Sequence, residues 1–277
     1  MTRRETEYDY AERLLRVLEY IQGHLDEDLS PAALAKRAHF SVYHFHRIFK
    51  GFVGESVMAH IRRLRLERAA ARLRFGDRPV TDIAHASGYD SHEAFTRAFG
   101  SRFGMSPSEY RSSVKPAPQL EAALRVETFP PRHLAYTRHR GTYQTVGEAW
   151  ARLMAWAAPK GLLGPHAAAV GISWDDPDLT PDEHIRYDAC IVIGAAIDPS
   201  GDIGVRVLPG GRWATTTHRG PYNRLGDTYV PLMSQWLPNR RLEPQDHPPI
   251  EIYHNRPGDT RPEDLVTDIQ ILLQESL

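Results

Sequence analysis

Glu251 lies in the run Ile250-Glu251-Ile252-Tyr253, where an extended backbone turns its side chain away from the two isoleucines. A carboxylate taken out of water is costly unless a partner compensates its charge. An acid facing a groove is therefore chemistry suited to a cationic ligand. Tyr253 beside it, with Trp150 and Tyr229 elsewhere in the chain, adds aromatic faces that attract a cation or a flat apolar body. The alternatives are an exposed Glu251 at a strand edge and aromatics that serve only as core. Other chemistry is thinly supplied. The 14 histidines form no His-Glu-x-x-His or cysteine-paired array, and His44 and His46, two apart on a helix, point to different sides. No metal, cofactor or catalytic residue is expected. The one cysteine, Cys190 in Ala189-Cys190-Ile191-Val192, reads as a small buried hydrophobe and excludes an internal disulfide.

Glu251 stands in the second copy of an internal repeat. Sliding residues 126–163 by 79 positions onto 205–242 needs no gap and gives 13 identities in 38, His139-Arg140-Gly141 against His218-Arg219-Gly220 among them. Trp150 and Tyr229 are equivalent, and with a shift of one, Gly171 is the counterpart of Glu251. The repeat itself thus does not require a carboxylate there. Each copy reads as strand, helix, strand, strand. Leu134–His139 and Trp213–His218 are strand-like, a helix of about fifteen residues ends near Pro159 or Pro238, and short β-rich runs such as Val170–Trp174 and Ala189–Ile193 close the unit. Two copies predict an α+β domain with a mainly antiparallel sheet, two helices, a pseudo-twofold axis and a central groove for a small molecule.

The preceding half reads as helices alone. Ala11–Leu25 carries the stripe Leu14, Leu15, Leu18 and Ile21. Ser30-Pro31 opens a short helix, Ser41 caps Val42–Phe52, and Gly54 follows. The pattern recurs: Val80–Ser87 predicts a capped short helix with a glycine turn at Gly88, and Ser91 caps His92–Phe103. Phe45 and Phe95, Arg47 and Arg97, and Phe49 and Phe99 occupy equivalent places. One long helix, Ser56–Phe75, joins the two helix-turn-helix units, with Ile61, Leu64, Leu66, Ala69 and Leu73 inward. Successive major-groove faces repeat every ~34 Å, so two units on one rod suit a single face of duplex DNA without dimerisation.

Residues 10–112 resemble the AraC/XylS family DNA-binding domain, on Phe45-His46-Arg47-Ile48-Phe49-Lys50, Ile83-Ala84-His85-Ala86-Ser87-Gly88-Tyr89 and the uninterrupted run from Phe95 to Arg111. The resemblance places base-reading residues at Val42, Tyr43, His46 and Arg47 in the first unit and at His92, Glu93, Thr96 and Arg97 in the second. Arg47 suits guanine O6/N7. Glu93 suits a cytosine amino group or a helix cap, and Arg97 a base or a phosphate. Residues 122–275 resemble the GyrI-like effector-binding domain, on Gly171-Ile172-Ser173-Trp174-Asp175-Asp176-Pro177, His218-Arg219-Gly220-Pro221-Tyr222 and the strand of Glu251. That resemblance puts the family's central glutamate at Glu251 and implies a small-ligand site. Some such domains hydrolyse reactive electrophiles, so the alternatives to a ligand sensor are a hydrolase of such molecules and a module that inhibits a protein partner directly. The implied partners are double-stranded promoter DNA, a small organic ligand and RNA polymerase.

Composition agrees with this division. Residues 31–115 hold 15 Lys+Arg against 7 Asp+Glu, a balance of +8, whereas 116–277 hold 15 against 20, a balance of −5. Only the first segment is suited to a polyanion. The expected boundaries are a DNA-binding domain over 1–114, a linker over 115–121 around Pro116 and Pro118, and a ligand-binding domain over 122–277. No apolar run approaches the ~20 residues that span a bilayer, and the polar N-terminus lacks a signal-peptide core. A cytoplasmic regulator without a membrane partner is the expectation.

Overall fold

In the computed structural model, residues 3–113, 124–164, 167–195, 197–198 and 201–275 are described, together with all their side chains except those of residues 3–8 and 75. The expected linker 115–121 lies outside them. The chain divides into two compact units, Met1–Lys115 and Pro116–Leu277.

The first unit is all α-helix: α1 (Arg3–Gly23), α2 (Pro31–Arg37), α3 (Val42–Val53), α4 (Val57–Phe75), α5 (Val80–Ala86), α6 (His92–Phe103) and α7 (Pro107–Ser113). Ser30, Ser41 and Ser91 act as the sequence indicates, and Ser56, expected as the first residue of the long helix, is its cap. Each accepts the backbone N–H three residues on, satisfying donors that a helix start leaves open. The short helix α5 departs from expectation, since Pro79 precedes it and no side chain caps it. The first helix also begins earlier than its apolar stripe, at Arg3. Gly54 and Gly104 end α3 and α6 at φ +86° and +74°, a left-handed conformation that favours glycine. Phe45 and Phe49 are buried with Leu14, Leu18, Leu34, Val57 and Ile61, which fixes α3 to α1, α2 and the first turns of α4. In the second helix-turn-helix, Phe95, Phe99, Ile83 and Ala84 are buried in the same manner.

The second unit is one eight-stranded antiparallel sheet with two helices. Its elements are β1 (Arg125–Phe129), β2 (Arg132–Arg140), α8 (Gly147–Ala157), β3 (Ala169–Ser173), β4 (Arg186–Ile193), β5 (Ile203–Leu208), β6 (Gly211–Arg219), α9 (Gly226–Pro231), β7 (Ile250–Tyr253) and β8 (Val266–Leu272). The strand order β1-β6-β8-β7-β3-β4-β2-β5 maps onto itself when the two copies are exchanged. The sheet shows what the repeat alone did not, namely that each copy begins with a strand paired to the other copy, β1 on β6 and β5 on β2. The second helical run is unbroken from Gly226 to Asn239, close to the expected length and ending beside Pro238, but it is not regular throughout. Pro231 lies inside it, and a π-helical turn over Leu232–Trp236 follows, because proline supplies no N–H and crowds the preceding turn.

Alternation along the strands separates two faces. Ala135, Ala189 and Ile191 pack under Ala149, Leu153 and Ala157 of α8, and Ala214, Ile269 and Ile271 pack against Leu232 and Leu237 after α9. The opposite face carries Leu134, Tyr136, Val170, Ile172, Cys190, Trp213 and Ile250. Cys190 is buried there, as a hydrophobe of its size should be.

Candidate functional site

The pseudo-twofold axis of the sheet passes between β3 and β7, where Gly171 faces Glu251 and the flanking pairs, Val170 with Ile252 and Ile172 with Ile250, are symmetry mates. Glu251 thus stands at the centre of the sheet, on the face that carries both helices. It is 4% exposed. Oε1 accepts from Ser173 Oγ at 3.0 Å and from Tyr229 Oη at 2.9 Å, and Oε2 accepts from the Tyr253 hydroxyl. Tyr253 Oη lies 2.9 Å from Tyr187 Oη, which in turn accepts from Trp150 Nε1 at 3.1 Å. The carboxylate is therefore gripped from α9 by Tyr229 and, through two tyrosines, from α8 by Trp150.

No cationic side chain lies against this carboxylate among the described residues. Burial pushes its pKa up, and the three hydroxyl donors only partly oppose this. Burial and the nearby Glu251 charge hold the hydroxyls of Tyr187, Tyr229 and Tyr253 well above their ordinary value, so they remain donors. Rings close the site: Trp150 and Tyr222 meet Tyr253 edge-on at 5.8 and 5.3 Å, and Tyr143 meets Tyr187 at 6.0 Å. Gly171 makes the arrangement possible. A Cβ there would lie 2.4 Å from Tyr253 Oη and 2.5 Å from Tyr187 Oη.

All four residues singled out in the sequence, Glu251, Tyr253, Trp150 and Tyr229, thus meet in one cluster. Ser173, Tyr187, Tyr143 and Tyr222 were missed. The repeat carried a signal for the last two, because Tyr143 and Tyr222 are identical at equivalent positions. Tyr187 could have been found by alternation with Ala189 along β4, but only once that strand was known to lie beside β3.

In the helical unit, Val42, Tyr43, His46 and Arg47 are exposed along α3, and His92, Glu93 and Arg97 along α6. Tyr43 is 65% exposed and its hydroxyl accepts from Arg47 Nη1 at 2.7 Å. Thr96 differs from the others. It is half-buried, and its hydroxyl is shielded from solvent with no hydrogen-bond partner among the described residues. No helix of the described residues is long and apolar enough to cross a membrane, and none of them form a cluster of three or more metal-ligating side chains.

Residues 123–274, more than half of the chain, match the family of the GyrI-like small molecule binding domain. The chain belongs to that family. Ahead of its GyrI-like domain, residues 34–113 match a helix-turn-helix domain of the AraC type. Among curated relatives, the right origin-binding protein of Escherichia coli (strain K12) is 40% identical over 105 residues, 38% of this chain and 36% of that protein. This chain therefore spans about a third of that relative's length. Regulatory protein SoxS of Salmonella typhimurium (strain LT2) is 36% identical over 95 residues, 34% of this chain and 89% of SoxS. Among solved structures, EcmrR in a DNA complex covers 90% of this chain and 100% of its own at 13% identity and a TM-score of 0.49.

Proposed function

We propose that this GyrI-like protein is a one-component transcription regulator. Its helical unit, residues 1–114, binds double-stranded promoter DNA, and its sheet unit, residues 122–277, senses a small organic cation at Glu251. The observation that carries the sensing half is a carboxylate buried at the sheet's centre, ringed by aromatic side chains and held only by neutral hydroxyls. Such a group is short of positive charge, and a cation seated among the rings supplies it. The DNA half is supported by two capped helices with exposed polar faces on one rod, and by the likeness of that half to SoxS. Val42, Tyr43, His46 and Arg47 read one groove segment and His92, Glu93 and Arg97 the next, Arg47 pairing with a guanine. In this reading the protein acts in the cytoplasm with RNA polymerase as its partner, and Glu251 anchors a ligand without turning it over.

The direct test is binding of the full chain to duplexes selected from a random pool, at moderate salt. Arg47→Ala should cost about 1–3 kcal/mol on the selected sequence and little on random duplex. Equal affinity of the unaltered protein for selected and random duplexes would refute the DNA-binding half. A lipophilic cation such as tetraphenylphosphonium should shift operator affinity by a coupling of about 1–3 kcal/mol.

A further inference from the structure

Helix α4 joins the two helix-turn-helix units, and four of its charged side chains, Arg63, Arg65, Glu67 and Arg68, are tied to residues on either side of it. Arg63, 8% exposed, donates through Nε and Nη2 to Glu55 Oε1 at 3.1 and 2.7 Å, and through Nη1 to Glu67 Oε2 at 3.0 Å. Glu67, equally buried, receives Arg102 Nη2 on its other oxygen at 3.1 Å. Glu55 directly follows Gly54, the C-cap of α3, and Arg102 lies in the last turn of α6. The series Glu55–Arg63–Glu67–Arg102 therefore runs from the exit of the first recognition helix to the end of the second, with alternating charge. His60, 1% exposed, adds its Nδ1 to Glu55 at 2.8 Å.

A second set of ties leaves α4 elsewhere. Arg65 donates to the carbonyls of Leu25 and Glu27 at 2.9 and 2.6 Å, and Arg68 pairs with Asp26 at 2.5 Å while reaching the Ala86 carbonyl at 3.3 Å. Gly88 rests on Arg65, since a Cβ there would lie 2.6 Å from Nη1. Residues 25–27 connect α1 to α2 in the first helix-turn-helix, and in the second Ala86 ends α5 while Gly88 lies in the turn that leads to α6.

Apolar contacts are non-directional and tolerate small rotations. Charge-assisted guanidinium–carboxylate bonds are directional, and the fork of Arg68 on Asp26, Nη1 to Oδ2 at 3.1 Å and Nη2 to Oδ1 at 2.5 Å, fixes angle as well as distance. Buried ion pairs contribute little net stability, and selecting one geometry is a use they serve in some proteins. Geometry is what matters here, because one base pair of extra spacing turns a groove face by about 35°. We propose that the ion series Glu55–Arg63–Glu67–Arg102, with the Arg65 and Arg68 ties, sets the spacing between the two sequence blocks that this protein accepts on DNA, and that Glu67 is its central positioning residue. The inference rests on the reading of α3 and α6 as recognition helices.

The test selects duplexes of roughly 30 base pairs, long enough for two groove faces, with the full chain and with Glu67→Gln. The unaltered protein should return two blocks at one spacing and discriminate about tenfold or more against a one-base-pair insertion. Glu67→Gln should return the same blocks with that discrimination reduced to about threefold or less. Arg102→Met, which removes the link to α6 and leaves Arg63 on Glu67, should behave alike and decides the matter if Glu67→Gln does not fold. Overturning results are an unchanged spacing preference in whichever variant folds, or a uniform loss of affinity at every spacing, the mark of a merely structural role. Failure of the unaltered protein to select any sequence would instead remove the DNA-binding reading, and this proposal with it.

Discussion

Two carboxylates are buried in the same sheet, on opposite faces, and their surroundings are opposites. Asp188 on β4 is 0% exposed and meets Arg138 at 2.6 and 2.9 Å, Arg206 at 2.9 Å and the indole N–H of Trp174 at 2.7 Å. Burial alone would raise its pKa, but the two guanidiniums more than offset this and hold it low. Glu251 is buried almost as deeply and has hydroxyl donors only, so burial prevails and its pKa rises. The difference separates a charge complete within the protein from one that no cationic side chain balances among the described residues.

The comparison is broken most severely by Asp188→Asn. Leaving Arg138 and Arg206 against a neutral amide should destabilise the fold by about 3–5 kcal/mol in denaturant titrations. Glu251→Gln should instead leave the fold at least as stable above neutral pH and weaken tetraphenylphosphonium binding by about 2–5 kcal/mol, the range for removing one partner of a buried charge pair. Similar losses of stability in both variants would erase the distinction. Gly171→Ala should cost about 1–3 kcal/mol by overpacking, because the new methyl meets the Tyr187 and Tyr253 hydroxyls. The same change at Gly147, where nothing lies within 4 Å, should be neutral or stabilising by up to about 1 kcal/mol.

The smallest effect is in pH dependence, and its sign differs between the two acids. Asp188 has a folded pKa below its ordinary 3.8, so its contribution is complete above that value and is lost as pH falls through the folded pKa. Glu251 has a folded pKa above its ordinary 4.5, so its contribution is greatest below 4.5 and is lost as pH rises through the folded pKa. Cation affinity should accordingly rise with pH across that interval. A flat affinity profile in calorimetry from pH 4.5 upward would contradict the raised pKa.

Much of this was legible in the sequence where the determinants are local. The serine caps, the paired phenylalanines and the glycine end of α3 each depend on a few neighbouring residues. The repeat singled out Glu251 because its equivalent is Gly171. Long-range pairing was not legible. Strands β1 and β5 are edges, and β1 exposes Arg125 through Thr128, so no alternation marks it. Ser173 and Tyr187 join Glu251 only through the β7-β3-β4 adjacency. Pro231 sits where the helical period continues, and a π-helical turn is a tertiary answer to it that periodicity does not encode.

The most direct test is calorimetric titration of tetraphenylphosphonium into the full chain and into Glu251→Gln at neutral pH. One saturable site in the unaltered protein, weakened about thirtyfold or more in a variant of undiminished thermal stability, is the predicted result. Equal affinity in the two proteins would contradict the assignment of Glu251 as the ligand's counter-charge.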